Sequence, residues 1–153
     1  MREEVRMHRR SIAAVIAVGA LFASVALAQV AVAAGQPFVT ALEGEAEVPV
    51  TGDLDGTGTA AVTLNRGTGE VCWHIAVEDI TLPALAAHIH EAPVGVPGDV
   101  VVTLGAPGED GTSTGCTTAD RALVKDIAKN PSGYYVNVHN SDFPGGALRG
   151  QLG

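Results

Sequence analysis

Residues 59–77 read TAAVTLNRGTGEVCWHIAV, and this stretch decides the fold class. Two runs of strand-forming residues flank NRGTG, a short segment with two glycines, and this is the pattern of a β-hairpin. In the second run, apolar residues occupy every second position from Val71 to Val77 and therefore share one strand face. The sequence predicts an antiparallel pair of strands that buries this apolar face.

Similar runs, separated by turns rich in Gly and Pro, recur along the rest of the chain. They are FVTAL (38–42), AAHIH (86–90), DVVVTL (99–104), GYYVNVHN (133–140) and ALRGQL (147–152). One helix is predicted within TTADRALVKDIAKNP (117–131), with Thr118 as its cap and Asp120 near its positive end. The predicted fold is all-β, an antiparallel β-sandwich or Greek-key barrel with one short crossover helix.

The first 33 residues have the pattern of a secretory signal peptide. Four arginines precede an apolar run, and small residues then offer cleavage after Ala28 or after Ala33. An uncleaved N-terminal anchor is the alternative, because the apolar run approaches the length of a membrane span. We therefore expect residues 34–153 to form one secreted, periplasmic or cell-envelope β domain that does not itself span a membrane.

The charge balance of that domain excludes one class of partner. The whole chain has nine Lys and Arg against 17 Asp and Glu, and residues 1–33 hold four of these cations and two of these acids. Five cations and fifteen acids remain, a net charge of −10. A nucleic-acid-binding surface needs clustered cations to neutralise phosphates, so nucleic acid is not expected as a partner. The expected partner is an unidentified protein or envelope component.

Cys72 and Cys116 are the two cysteines of the chain. In an exported protein, two cysteines are expected to form a disulfide. Their wide separation lacks the close spacing of a zinc clip.

Three histidines form the candidate metal site. His88 and His90 lie one residue apart on a predicted strand and point to the same side. His139 lies on the polar face of a later strand, together with Asn137. If the two strands are neighbours, the three imidazoles can converge on one copper or zinc ion. The alternative is a structural network of hydrogen bonds.

The last strand places Arg149 and Gln151 on one face. The planar guanidinium of Arg149 suits an anion site beside the histidines, or a salt bridge to Glu91 or Asp142. No serine lies in a G-x-S-x-G nucleophile elbow. No catalytic residue is assigned, and enzymatic activity stays open.

The segments LEGEAEVP, AAHIHEAPVGVPGDVVVTL, GYYVNVHN and FPGGALRGQL together resemble the CHRD (chordin-type) domain family. The resemblance runs from about Phe38 to the C-terminus and implies a secreted β domain. The family's signature residues would be His88, His90, Asn137, His139, Arg149 and Gln151. A weaker resemblance to copper–zinc superoxide dismutase rests on HIHE, a later strand histidine and one disulfide. It implies a related architecture at most, since no dense run of zinc ligands follows His90.

Two hypotheses of function follow. The first is a non-enzymatic module that binds a partner or associates with the cell envelope. The second is a mononuclear copper or zinc protein that uses His88, His90 and His139, with an architecture like that of superoxide dismutase.

Overall fold

The computed structural model describes residues 35–153, so the predicted signal peptide lies outside the described residues. Eight strands and one α-helix make up this part of the chain. The strands are β1 (Gln36–Glu43), β2 (Thr57–Asn65), β3 (Glu70–Glu78), β4 (Ala86–Glu91), β5 (Asp99–Leu104), β6 (Thr112–Thr118), β7 (Tyr134–His139) and β8 (Leu148–Gln151). The helix α1 (Arg121–Lys129) and a short 3-10 helix (Pro131–Gly133) lie between β6 and β7.

The strands form one antiparallel sheet in the order β5-β4-β7-β8-β1-β2-β3-β6. The two outermost strands, β5 and β6, approach each other, so the sheet curls into a nearly closed barrel. Around the barrel, β5 lies between β4 and β6. Strand β6 pairs on its other side with β3, which gives the strands a Greek-key order. The all-β prediction is confirmed, in its barrel form.

The predicted hairpin is the β2–β3 pair, which is in register from Thr57↔Glu78 to Asn65↔Glu70. The Asn65 side chain closes the turn, because its Oδ1 accepts hydrogen bonds from the amides of Gly67 and Thr68. Alternate residues of both strands are buried in the barrel: Ala60, Val62, Leu64, Val71, Ile75 and Val77. The period-two pattern therefore identified the inward face correctly.

Trp73 shares that inward face but lies at the seam between β5 and β6. Its Nε1 donates a hydrogen bond to Ser113 Oγ (3.0 Å), and Ser113 Oγ in turn donates to the carbonyl of Gly105 (2.7 Å). The indole lies against Gly115, where a Cβ would come within 2.6 Å of the ring. The Trp73 and Ser113 side chains thus link the paired strands β3 and β6 to the end of β5, at the seam where no strand ladder joins β5 to β6.

Strand β6 was not predicted, because TSTGCTT contains no large apolar residue. It is an edge strand that pairs with β3 from Glu70↔Thr118 to Ala76↔Thr112. Cys72 and Cys116 lie directly opposite each other in this pair and form the predicted disulfide.

Helix α1 begins two residues later than a Thr118 cap would place it. Thr118 belongs to β6, and Asp120 is the N-cap, with Oδ1 accepting from the amides of Ala122 (2.7 Å) and Leu123 (3.2 Å). The Thr118 prediction was wrong because the strand continues through that residue. The helix connects β6 to β7 as a crossover and buries Val124, Ile127 and Ala128. Within residues 35–153, no helix has the length and apolarity needed to cross a bilayer.

Candidate metal centre

The histidines lie on the outer face of neighbouring strands. Strand β4 pairs with β5 on one side and β7 on the other. Its inward residues, Ala87 and Ile89, are buried in the core, so His88 and His90 project from the opposite face. Since Ala86 pairs with His139, the β7 histidine lies beside His88. One ring nitrogen from each of the three histidines lies within 4.8 Å of the others.

His88 and His139 make the closest pair in this cluster. His88 Nδ1 lies 3.2 Å from His139 Nε2. His139 Nδ1 donates to the carbonyl of Pro144 (3.1 Å), so its Nε2 presents a lone pair toward His88. A backbone carbonyl in this position is the usual outer partner of a metal-ligating histidine, because it fixes the tautomer and the ring orientation.

The surroundings of His88 and His139 lower the pKa of both imidazoles and so favour their neutral form. Burial lowers the pKa of His88, and the neighbouring His139 and His90 rings lower it further. Burial also lowers the pKa of His139, and this outweighs the opposing effect of the Pro144 carbonyl. Neutral imidazole is the form that binds a metal ion.

His90 has a different environment, in which a protein oxygen lies within 3.0 Å of each ring nitrogen. Nδ1 donates to the carbonyl of Gly98 (2.9 Å), and Nε2 lies 3.0 Å from Asn137 Oδ1. The ring stacks on Tyr135 with centroids 4.8 Å apart and planes 8° from parallel. The guanidinium carbon of Arg149 lies 3.5 Å from the Tyr135 ring centroid. A β-bulge opposite His90, where the β4–β5 register shifts, marks this end of the strand.

The segment 92–98 covers these groups and is held there by the last strand. Arg149 donates to the carbonyls of Val96 (3.0 Å) and Pro93 (3.0 Å), and Gln151 Nε2 donates to the carbonyl of Ala92 (2.8 Å). Gly98 lets the segment approach closely, because a Cβ there would lie 2.1 Å from the carbonyl of Glu91. We refer to residues 92–98 as the covering segment.

The salt bridge expected for Arg149 is not present within residues 35–153. The guanidinium bonds to two backbone carbonyls and, at 3.4 Å, to Gln151 Oε1, and not to Glu91 or Asp142. Every residue has a backbone carbonyl, so a search of the sequence for acidic partners of Arg149 could not identify these two.

A family model described as the CHRD domain matches residues 38–152. The chain belongs to the CHRD domain family. Comparison with curated proteins and with solved structures found no match. Within this CHRD domain, the six residues singled out from the sequence are grouped on the outer face of β4, β7 and β8: His88, His90, Asn137, His139, Arg149 and Gln151.

The polar face of this CHRD domain is covered over part of its area by residues 92–98. His90 is 8% exposed, and Asn137 and Arg149 are each 2% exposed. The covering segment is hydrogen-bonded to His90 and Arg149, and Asn137 lies beside His90. His88 and His139 are half-buried and remain in contact with solvent. Gln151 is half-buried as well. The six residues therefore divide into an accessible histidine pair, a buried polar group of His90, Asn137 and Arg149, and the half-buried Gln151.

Sequence reasoning missed one further member of the buried group of the CHRD domain, Glu47. Its side chain is 4% exposed, and its Oε1 has no hydrogen-bond partner within the described residues. Burial raises the pKa of the Glu47 carboxyl, while a hydrogen bond from the Asn137 side chain and the charge of Arg149 lower it in part. Glu43 and Glu45 in the same LEGEAEVP segment are exposed. Nothing in the sequence of LEGEAEVP distinguishes the buried Glu47 from the exposed Glu43 and Glu45.

Proposed function

We propose that this CHRD domain binds a single copper or zinc ion at the cluster of His88, His90 and His139, with the ion between His88 Nδ1 and His139 Nε2. The main support for this proposal is the 3.2 Å distance between these two nitrogens. Two imidazole nitrogens that each lie 2.0–2.1 Å from one ion, at an angle between 90° and the tetrahedral value, are about 2.8–3.4 Å apart. The ion would therefore replace the hydrogen bond between the rings with little movement of either strand.

Three further properties support this proposal. The tautomer of His139 is fixed by the Pro144 carbonyl, and the pKa values of both imidazoles are lowered. Both side chains are half-buried, so an ion can reach them from solvent. Imidazole nitrogen is a ligand suited to zinc and copper and not to magnesium or calcium.

We also propose that the domain acts outside the cytoplasm. The proposal is supported by the signal-peptide pattern of residues 1–33 and by the disulfide between Cys72 and Cys116. Detection of mature protein that begins after Ala28 or Ala33 in a periplasmic or secreted fraction would test it. Full-length chain that stays in the cytoplasm would contradict it.

The test of metal binding uses protein purified without a histidine tag. After incubation with copper or zinc and removal of unbound ion, elemental analysis should find close to one metal per chain. A His88→Ala/His139→Ala variant should lose the ion. His74→Ala is the matched control, since His74 is exposed on β3 and hydrogen-bonds to Thr114. Equal metal content in all three proteins, or none in the unaltered chain, would refute the proposal.

A binding module is the second candidate function, supported by exposed apolar side chains beside the site. Val94, Val96 and Val100 are 76%, 45% and 48% exposed in and just after the covering segment. Apolar side chains grouped in this way favour contact with a protein or envelope partner. If this is the function, a Val94→Ser/Val96→Ser variant should release a partner recovered by crosslinking in intact cells. Metal content should be the same as in the unaltered chain.

A further inference from the structure

The disulfide fastens an outermost strand of the curled sheet to the rest of the barrel. Strand β6 pairs with β3 on one side, and no strand ladder joins its other side to β5. None of the seven residues of β6 is buried, so the strand contributes no apolar side chain to the core. The ladder to β3 is supplemented by the hydrogen bonds of Ser113 and by the covalent bond from Cys116 to Cys72. An edge strand of this kind has low local stability once its crosslink is removed.

The two cysteines differ in how accessible they are. Cys72 is half-buried and lies between two strands, with Thr63 of β2 opposite it on one side and Cys116 on the other. Cys116 is exposed and lies on the edge strand, so it has a paired strand on one side only. In thiol–disulfide exchange a thiolate must reach one of the two sulfur atoms. The structure therefore favours attack at Cys116.

A carboxylate lies beside the disulfide. An oxygen of Glu70 and the sulfur atoms of Cys72 and Cys116 lie within 4.8 Å of one another, and Glu70 is itself exposed. A negative charge at this distance repels an incoming thiolate, and it also disfavours the thiolate that departs from the broken bond. Glu70 is therefore placed to slow exchange without covering the sulfur atoms.

We propose that the disulfide is a thiol-exchange site, attacked at Cys116 by the dithiol of a reducing protein and slowed by Glu70, and that its opening loosens β6 while the other strands stay folded. One thiolate of the dithiol bonds to Cys116 Sγ as the bond to Cys72 breaks, and Cys72 leaves as a thiolate that takes a proton from solvent. The second thiolate of the dithiol then releases Cys116, which is protonated in turn. The domain gains two electrons and two protons, and the dithiol becomes a disulfide.

Reduced glutathione, a small thiol, tests the site of attack on the folded, chelator-treated chain. After a short incubation the reaction is quenched with acid, free thiols are alkylated, and the adducts are located by peptide mass spectrometry. Glutathione should be found on Cys116 and the alkyl group on Cys72, in an excess of at least about tenfold over the reverse arrangement. Equal amounts of the two adducts, an excess on Cys72, or no adduct at all would overturn the proposed site.

The rate of reduction by dithiothreitol tests the effect of Glu70. At low salt, Glu70→Gln should be reduced about two- to fivefold faster than the unaltered chain, because one negative charge beside the sulfur atoms is removed. Glu78→Gln is the matched control, since Glu78 is exposed at the other end of β3. Equal rates in all three proteins would overturn the part assigned to Glu70.

Amide hydrogen exchange tests the loosening of β6, with β2 as the reference strand in the same chain. Loss of a crosslink also lowers global stability, but that effect acts on both strands alike. In the reduced chain, the β6 amides that pair with β3 should exchange at least about tenfold faster than the paired amides of β2, and the oxidised chain should show a smaller difference. A Cys72→Ser/Cys116→Ser variant should behave like the reduced chain. Equal protection of the two strands after reduction, or unfolding of the whole barrel, would overturn the proposal.

Discussion

Replacement of Arg149 by Met removes the guanidinium that holds the covering segment, while leaving a side chain of similar length to fill the space. Two hydrogen bonds from a charged donor are lost, to the carbonyls of Pro93 and Val96, each at 3.0 Å. Hydrogen bonds of this kind contribute about 1.5–3 kcal/mol each, and the contact with Tyr135 contributes about 1–2 kcal/mol. The removed charge also no longer has to be buried, which offsets part of the loss. We expect the free energy of unfolding to fall by about 3–5 kcal/mol.

Urea denaturation and amide hydrogen exchange together test this magnitude. The stability loss should be accompanied by faster exchange at Gly98, whose amide is protected by Tyr135 beneath the segment. Arg149→Lys should recover less than half of the loss, because one ammonium cannot span both carbonyls as a planar fork does. Arg66→Met, at an exposed turn, should change stability by less than about 0.5 kcal/mol. A loss below about 1 kcal/mol for Arg149→Met, with unchanged exchange at Gly98, would refute the reasoning.

Three further predictions concern the barrel and the histidines. Replacing both Cys72 and Cys116 by Ala should lower the unfolding free energy by about 4 kcal/mol, since the disulfide closes a loop with a sequence separation of 44; an unchanged urea midpoint would contradict this. Trp73→Phe removes the donor to Ser113 and should cost about 1 kcal/mol in urea unfolding, without changing metal content. The folded chain keeps the pKa values of His88 and His139 below 6.5, so the unfolded chain takes up more protons as pH falls through that value. Chelator-treated protein should therefore have a lower free energy of unfolding below about pH 6.5. In His88→Gln the free energy of unfolding should depend less on pH, and an equal pH dependence in both proteins would refute this assignment to His88.

The local features of the fold could be predicted from sequence because they depend on periodicity and turn chemistry. Alternation identified the inward face of β3, and the parity of His88 and His139 placed both on the polar side of their strands. The adjacency of these strands could not be predicted, because β4 and β7 are separated along the chain by β5, β6 and α1. Strand β6 escaped detection because its pairing with β3 depends on small polar residues and a disulfide rather than on apolar alternation.

The surroundings of the candidate site were less predictable because they depend on tertiary contacts. The burial of His90 and Arg149 follows from the covering segment, which folds back over the strand that it leaves. Glu47 became part of the site only because its loop packs against Asn137 and Gly146. Within LEGEAEVP it has the same chemistry as two exposed glutamates.

The position of Arg149 near the end of the chain sets an order for assembly. It reaches back 56 residues to Pro93 and 53 residues to Val96, and its strand lies between β7 and β1 in the sheet. During synthesis or refolding from the N-terminus, His88 and His90 are available long before the strand that holds their cover in place. Contacts between residues so far apart in sequence form late, because a large loop must first close. Before β8 joins the sheet, the chain has all three histidines, but Arg149 does not yet hold the covering segment over His90. The final geometry of the site therefore forms only when the barrel is complete.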